Sequence, residues 1–216
     1  MRRNKLVGLG AVAASLALVL SACGSADTDD DTSAGGDECG GKIGAMGALS
    51  GPNSSIVIPS INGAKLALSQ FLDENADCTV ELVEFDSEGD ATKATPLASQ
   101  IADDPEFLGV IGGAFSGETR ATKGIFNEAG VTMISQSATA TDLTTEDPAA
   151  VFHRVVGYDD VQGAAVAKYL SDALGATKIF VVDNSEAYGE PLADKVKEEL
   201  GDLVAKDLGK PLTRLR

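Results

Sequence analysis

Tryptophan is absent from this sequence and histidine occurs once, at His153. Basic residues are few: 17 Lys and Arg stand against 33 Asp and Glu, a formal net charge of −16. Nucleic-acid binding is excluded on that balance, because phosphate contacts require Lys and Arg. Acidity by itself otherwise signifies solubility. A Ser-His-Asp hydrolase would have to use His153, which follows Val151-Phe152 inside a strand-like run and reads as a structural residue. Gly113-Ala114-Phe115-Ser116-Gly117 places its serine one position late for the G-x-S-x-G turn of such enzymes. There is no G-x-G-x-x-G and no phosphate-loop lysine. The three cysteines, Cys23, Cys39 and Cys78, show no C-x-x-C spacing, so a zinc site with His153 is poorly supported. No enzyme constellation, cofactor site or metal site emerges.

The single long apolar run, Leu6 to Leu20, lies behind the basic start Met1-Arg2-Arg3-Asn4-Lys5. It falls short of the roughly 20 apolar residues of a membrane span. A short apolar run after a basic start, ending in small residues, reads as a secretory signal. Leu20-Ser21-Ala22-Cys23 resembles the lipobox of bacterial lipoproteins. That resemblance implies removal of residues 1–22, acylation of Cys23, and anchoring to the lipid bilayer on the outer face of the cell membrane. Residues 23–38 carry Asp27, Asp29, Asp30 and Asp31 and no large apolar side chain, so they read as an acidic flexible tether. The cluster lacks the alternating pattern of a calcium loop.

From Cys39 onward, strand-like and helix-like runs alternate. Strands are expected at 42–48, 79–85, 107–112, 131–135, 151–156 and 178–183. Helices are expected at 60–75, 91–103, 117–129, 159–174 and 188–200. Strands alternating with helices of 10–15 residues imply βαβ units in a doubly wound parallel sheet, an α/β fold. A first lobe is expected over 39–156, with the boundary near Gly157-Tyr158-Asp159 and a second lobe beginning over 157–216. Cys39 and Cys78 each precede a strand, and the first two strands of such a sheet are usually neighbours. A disulfide between them is therefore expected outside the cytoplasm, two free thiols being the alternative.

Ligands of open α/β sheets bind beyond the carboxyl ends of the strands. Three polar loops lie there: 49–55, 114–117 and 136–139. Ser116, at the start of a helix, offers a hydroxyl beside free N–H groups, a setting for a carboxylate; a plain N-cap is the ordinary alternative. The Ser137 carbonyl and Thr139 could hold an ammonium, with ordinary turn chemistry as the alternative.

The stretches GAMGALSGPNSS, INGAKLAL, GVIGGAFSGETRA, GVTMISQSATATDLT, VFHRVVGYDDVQGAAVAKYL and IFVVDNSEAYGEPLAD together resemble the type I periplasmic binding proteins. The narrower resemblance is to the leucine/isoleucine/valine-binding subunits of branched-chain amino-acid ABC transporters. It implies a non-enzymatic clamp that captures a small amino acid and delivers it to a membrane permease. Ser116 then matches the carboxylate grip, Ser137 and Thr139 match the ammonium positions, and Tyr188 matches an aromatic that closes from the second lobe. Ile56 falls where many members place an aromatic side chain. Members of that family run further, so the resemblance implies that a chain ending at Arg216 carries an incomplete second lobe. Two other readings stay open: an extracytoplasmic sensing lipoprotein on the same fold, and a truncated fragment without function.

Overall fold

The computed structural model describes residues 39–146 and 149–205. The expected signal segment, Cys23 and the acidic tether lie outside the described residues. Five strands form one sheet: β1 (Gly40–Gly47), β2 (Thr79–Asp86), β3 (Phe107–Gly112), β4 (Thr132–Ser135) and β5 (Phe152–Arg154). All pair in parallel, in the order β2-β1-β3-β4-β5. The helices are α1 (Ser54–Glu74), α2 (Ala91–Ala102), α3 (Ser116–Ala129), the single turn α4 (Asp142–Thr145), α5 (Asp159–Lys168) and α6 (Gly189–Leu200).

Side chains alternate across a strand, and both faces of a parallel sheet want cover. Met46, Val110, Met133 and Phe152 point to the face packed by α2 and α3, where Ile101 and Phe126 are fully buried. Ala45 points to the opposite face, under Val57 and Ile61 of α1. The chain turns from β1 to β2 on one side and crosses to β3 on the other, so the strand order reverses between β1 and β3. The connections that leave their carboxyl ends part there, to α1 on one face and α3 on the other, which is where an open sheet of this kind forms its crevice. Gly113 makes the turn out of β3. It has φ +60, and a Cβ would collide with Thr119 Oγ1 and Met133.

Cys39 and Cys78 are joined by a disulfide one residue before the first paired rung of β1 and β2, with Cα atoms 4.5 Å apart. The two sulfurs are thereby committed to each other rather than to a metal. His153 sits exposed on β5, opposite Ile134.

Three sequence expectations differ from the structure. Helix α1 begins at Ser54 rather than 60 and runs through Pro59; the Val57–Ile61 pair, one turn apart on the buried stripe, carries it back. The expected helix 159–174 is α-helical only to Lys168 and continues as a π turn over Tyr169–Ala173. The expected strand 178–183 does not form. Only Ile179 pairs, in an isolated bridge to Val204, and a strand needs a ladder of neighbours to persist. Around it, α5 packs on α6 over Ala167, Val196 and Leu200. Gly163 permits their approach, since a Cβ there would lie 2.7 Å from Lys195 Cγ. Among the described residues no helix is long and apolar enough to cross a membrane.

Candidate functional site

A cleft of about 510 Å3 opens at the point where the strand order reverses. The start of α1 contributes Asn53 and Ile56, the β2–α2 turn contributes residues 88–91, and the start of α3 contributes residues 115–118. The fourth wall is Glu186, Ala187 and Tyr188, which come from beyond the expected lobe boundary. Ser116, Ile56 and Tyr188 therefore line one cavity.

Ser116 is not the N-cap of α3. Phe115 takes that position with extended backbone angles, and Ser116 is the first helical residue. Its Oγ instead accepts the N–H of Ala140 at 3.1 Å. That leaves the hydroxyl proton free to donate, next to N–H groups that a helix start leaves without intrahelical partners. Glu118 completes the turn. Its carboxylate accepts the N–H of Ala114 at 2.9 Å and of Phe115 at 3.4 Å, and it accepts the Ser87 hydroxyl. This is the reach-back half of a capping box, in which a Glu at the third helical position satisfies the N-cap N–H. Burial pushes the Glu118 carboxyl above the usual glutamate range, against the pull of those three donors.

Ser137 and Thr139 lie on the loop after β4 and do not line the cleft. The loop is fixed from three sides. Ser135 Oγ donates to the Gly113 carbonyl at 2.6 Å and accepts the N–H of Ala138 at 2.9 Å. Ser137 Oγ donates to the Ala114 carbonyl at 2.5 Å. Arg154 donates to the carbonyls of Ala138 and Ala140 at 3.2 and 2.9 Å. The loop thus stands one hydrogen bond from Ser116, through Ala140. The Thr139 carbonyl accepts the N–H of Asp159, the first residue of α5, at 2.9 Å. Thr139 Oγ1 and Asp159 Oδ2 are buried without a well-formed hydrogen bond. Burial raises the Asp159 carboxyl, while Thr139 and the Arg154 charge oppose that shift.

Tyr188 ends the segment before α6, and its hydroxyl accepts Gln162 Nε2 of α5 at 3.0 Å. That contact ties the ring to α5, and Tyr188 stays 41% exposed. No lysine or arginine lines the cleft, whereas Glu88, Asp90, Glu118 and Glu186 do. Glu88 pairs with Lys93 at 2.6 Å. The Asp90 carboxylate caps α2 through Thr92, which holds its carboxyl below the usual range. Hydrogen-bond donors, an aromatic ring and an apolar side chain around a solvent-open cavity suit reversible capture of a small molecule.

Glu118, Ser87, Ser135 and Arg154 escape a reading of the sequence. Their partners lie 22 to 31 residues away for Ser135 and Ser87, and nothing local marks them. Glu118 had one local signal, its place three residues after Phe115, but a phenylalanine N-cap hides the capping box.

The family model described as periplasmic binding protein matches residues 41–215. The chain is 31% identical over 164 residues to a Leu/Ile/Val-binding protein of Citrobacter freundii, covering 74% of this chain and 43% of that protein. It is 30% identical over 161 residues to a leucine-specific-binding protein of Salmonella typhimurium, again covering 74% and 43%. A solved branched-chain amino acid transporter substrate-binding protein of Streptococcus pneumoniae, in complex with isoleucine, superposes with a TM-score of 0.68 at 26% identity. That match covers 74% of this chain and 46% of the other. A leucine-binding protein of Thermotoga maritima matches equally well, at 26% identity and TM-score 0.68, covering 76% and 47%. The chain spans less than half the length of the curated relatives it matches. With the ordered match over 41–215 and a parallel five-stranded lobe that carries its cleft at the strand-order reversal, the chain belongs to the periplasmic binding protein family.

Proposed function

We propose that the protein is the substrate-binding component of an ABC importer, capturing a branched-chain or similar small amino acid and delivering it to a membrane permease. The observation that carries this reading is the meeting of Ser116 and Tyr188 in one cleft. The ligand carboxylate takes the Ser116 hydroxyl and the N-terminal N–H groups of α3, where the helix dipole favours negative charge. The Ser137 carbonyl and Thr139 take the ammonium at the neighbouring loop, and Tyr188 covers the ligand. Ile56, 63% exposed at the start of α1, contributes to side-chain selection. Closure draws its energy from tighter binding in the closed state than in the open one. Cys23 carries the lipid that holds the protein outside the cytoplasmic membrane, each buried CH₂ contributing about 0.8 kcal/mol.

A thermal-shift panel of the twenty amino acids tests the ligand class. The expected result is a rise in melting temperature with at least one of leucine, isoleucine and valine, since a ligand that binds only the folded state stabilises it. A flat panel contradicts the proposal. For the anchor, radiolabelled palmitate should label the protein but not Cys23→Ala; equal labelling of the two removes the lipid reading.

A further inference from the structure

Glu118 is wholly buried at the base of the cleft, two residues beyond Ser116. Its partners all donate. The N–H groups of Ala114 and Phe115 point at one oxygen. The Ser87 hydroxyl points at the other, and Ser87 Oγ itself accepts the N–H of Gly89 at 3.1 Å, which commits its proton to Glu118. Three converging donors at a helix N-terminus form an anion site. Here the chain fills that site with its own carboxylate.

A carboxylate brought to Ser116 meets this fixed charge at close range. Water cannot screen it well from one side, because Glu118 has no exposed surface. The other charged groups lining the cleft, Glu88, Asp90 and Glu186, are also acidic, and Lys93 pairs with Glu88. Like charges in a poorly screened setting repel far more than in water. A zwitterion escapes most of that penalty, since its ammonium is held on the carbon next to its carboxylate and offsets that charge wherever it docks. A ligand with a carboxylate alone does not.

We infer that Glu118 is a specificity-determining residue whose buried charge makes the cleft reject net-anionic ligands and admit a carboxylate only when a cationic group accompanies it. This rests on the proposed function, because it takes Ser116 as the carboxylate grip. It adds a rejection element, the kind of repulsive device by which binding sites gain selectivity. Truncating an ordinary contact lowers affinity for every ligand. Neutralising a repulsive charge raises affinity for the excluded one, and a purely structural role produces no such gain.

The experiment compares L-leucine with 4-methylpentanoate, the same carbon skeleton without the ammonium, by titration calorimetry. Glu118→Gln keeps the size and the acceptor oxygen for Ala114. The parent should prefer leucine by about a hundredfold or more, and Glu118→Gln should bind 4-methylpentanoate about fivefold or more tighter than the parent, so that the preference for leucine narrows. Glu118→Met, of similar volume, is the second variant. It vacates the two N–H donors and should give a gain in the same direction, so whichever variant melts cooperatively serves. An unchanged ligand ratio, or an equal loss for both ligands, overturns the inference and leaves the proposed function standing. A parent that binds neither ligand overturns both.

Discussion

Residues 107–112 and 178–183 obey the same local grammar, an apolar run feeding a polar loop and then a helix, yet only the first becomes a strand. β3 lies between β1 and β4, with Gly44 opposite Val110 and Ile111 opposite Ile134. The Ile179-Phe180-Val181-Val182 run is as rich in β-branched and aromatic residues, but among the described residues its one β-bridge is Ile179 to Val204. Phe180 and Val182 stay 43% and 62% exposed beside a cavity of about 650 Å3. The contrast teaches that β-propensity is fit to a half-buried pleated surface rather than a property of the segment. The cleft draws on both regions: Ser116 comes from the start of α3 beside the sheet, and Tyr188 comes from the segment before α6, where Gln162 of α5 holds its hydroxyl.

Hydrogen exchange should separate the two regions most widely. Amides within β3 should open only with global unfolding, and those of 180–182 should exchange about a thousandfold faster or more. Equal protection would erase the distinction. Truncation sharpens it. Phe126→Ala, in the fully buried core under the sheet, should cost about 3–5 kcal/mol in urea unfolding, and Phe180→Ala less than about 1 kcal/mol. Comparable costs would mean that 178–183 is packed after all. Within the first lobe, replacing Cys39 and Cys78 together by serine opens a link of sequence separation 39. Removing a closure of that length should cost about 2–4 kcal/mol, and an unchanged urea midpoint would contradict the stapling of β1 to β2.

The smallest effect concerns pH. The Glu118 carboxyl is raised in the folded state by burial. A raised carboxyl gives stability that is complete below its unfolded value and lost as pH rises through the folded value. Glu118→Gln has no such loss, so its stability relative to the parent should improve as pH rises above the ordinary glutamate range. A difference that stays constant with pH would show that burial does not govern this group.

Much of the β1–β5 lobe was legible because its signals are periodic and local. Alternation placed β1 to β5, and two cysteines before adjacent strands pointed to the disulfide that joins them. Pro59 misled the start of α1, since a proline reads as a boundary and the Val57–Ile61 stripe is recognisable only once the sheet above it exists. The run 178–183 misled because pairing is non-local. In the site, Ser116 was singled out as a helix-start hydroxyl, but Phe115 holds the cap and Ser116 is oriented by Ala140, 24 residues on. Non-local partners also hide Arg154, which holds the carbonyls of the loop after β4, and the Ser87 half of the Glu118 contacts, while the local half is masked by the phenylalanine at the N-cap.

Under the proposed function, Ser116 grips the carboxylate of an amino acid in the cleft that Tyr188 lines. Titration calorimetry of leucine, isoleucine and valine against the parent and Ser116→Ala tests it most directly. The expected result is saturable one-to-one binding of at least one of the three, weakened about tenfold or more by Ser116→Ala, the worth of a hydrogen bond to a charged group. Saturable binding that stays within about twofold in a folded Ser116→Ala, or no binding by the parent, would contradict it.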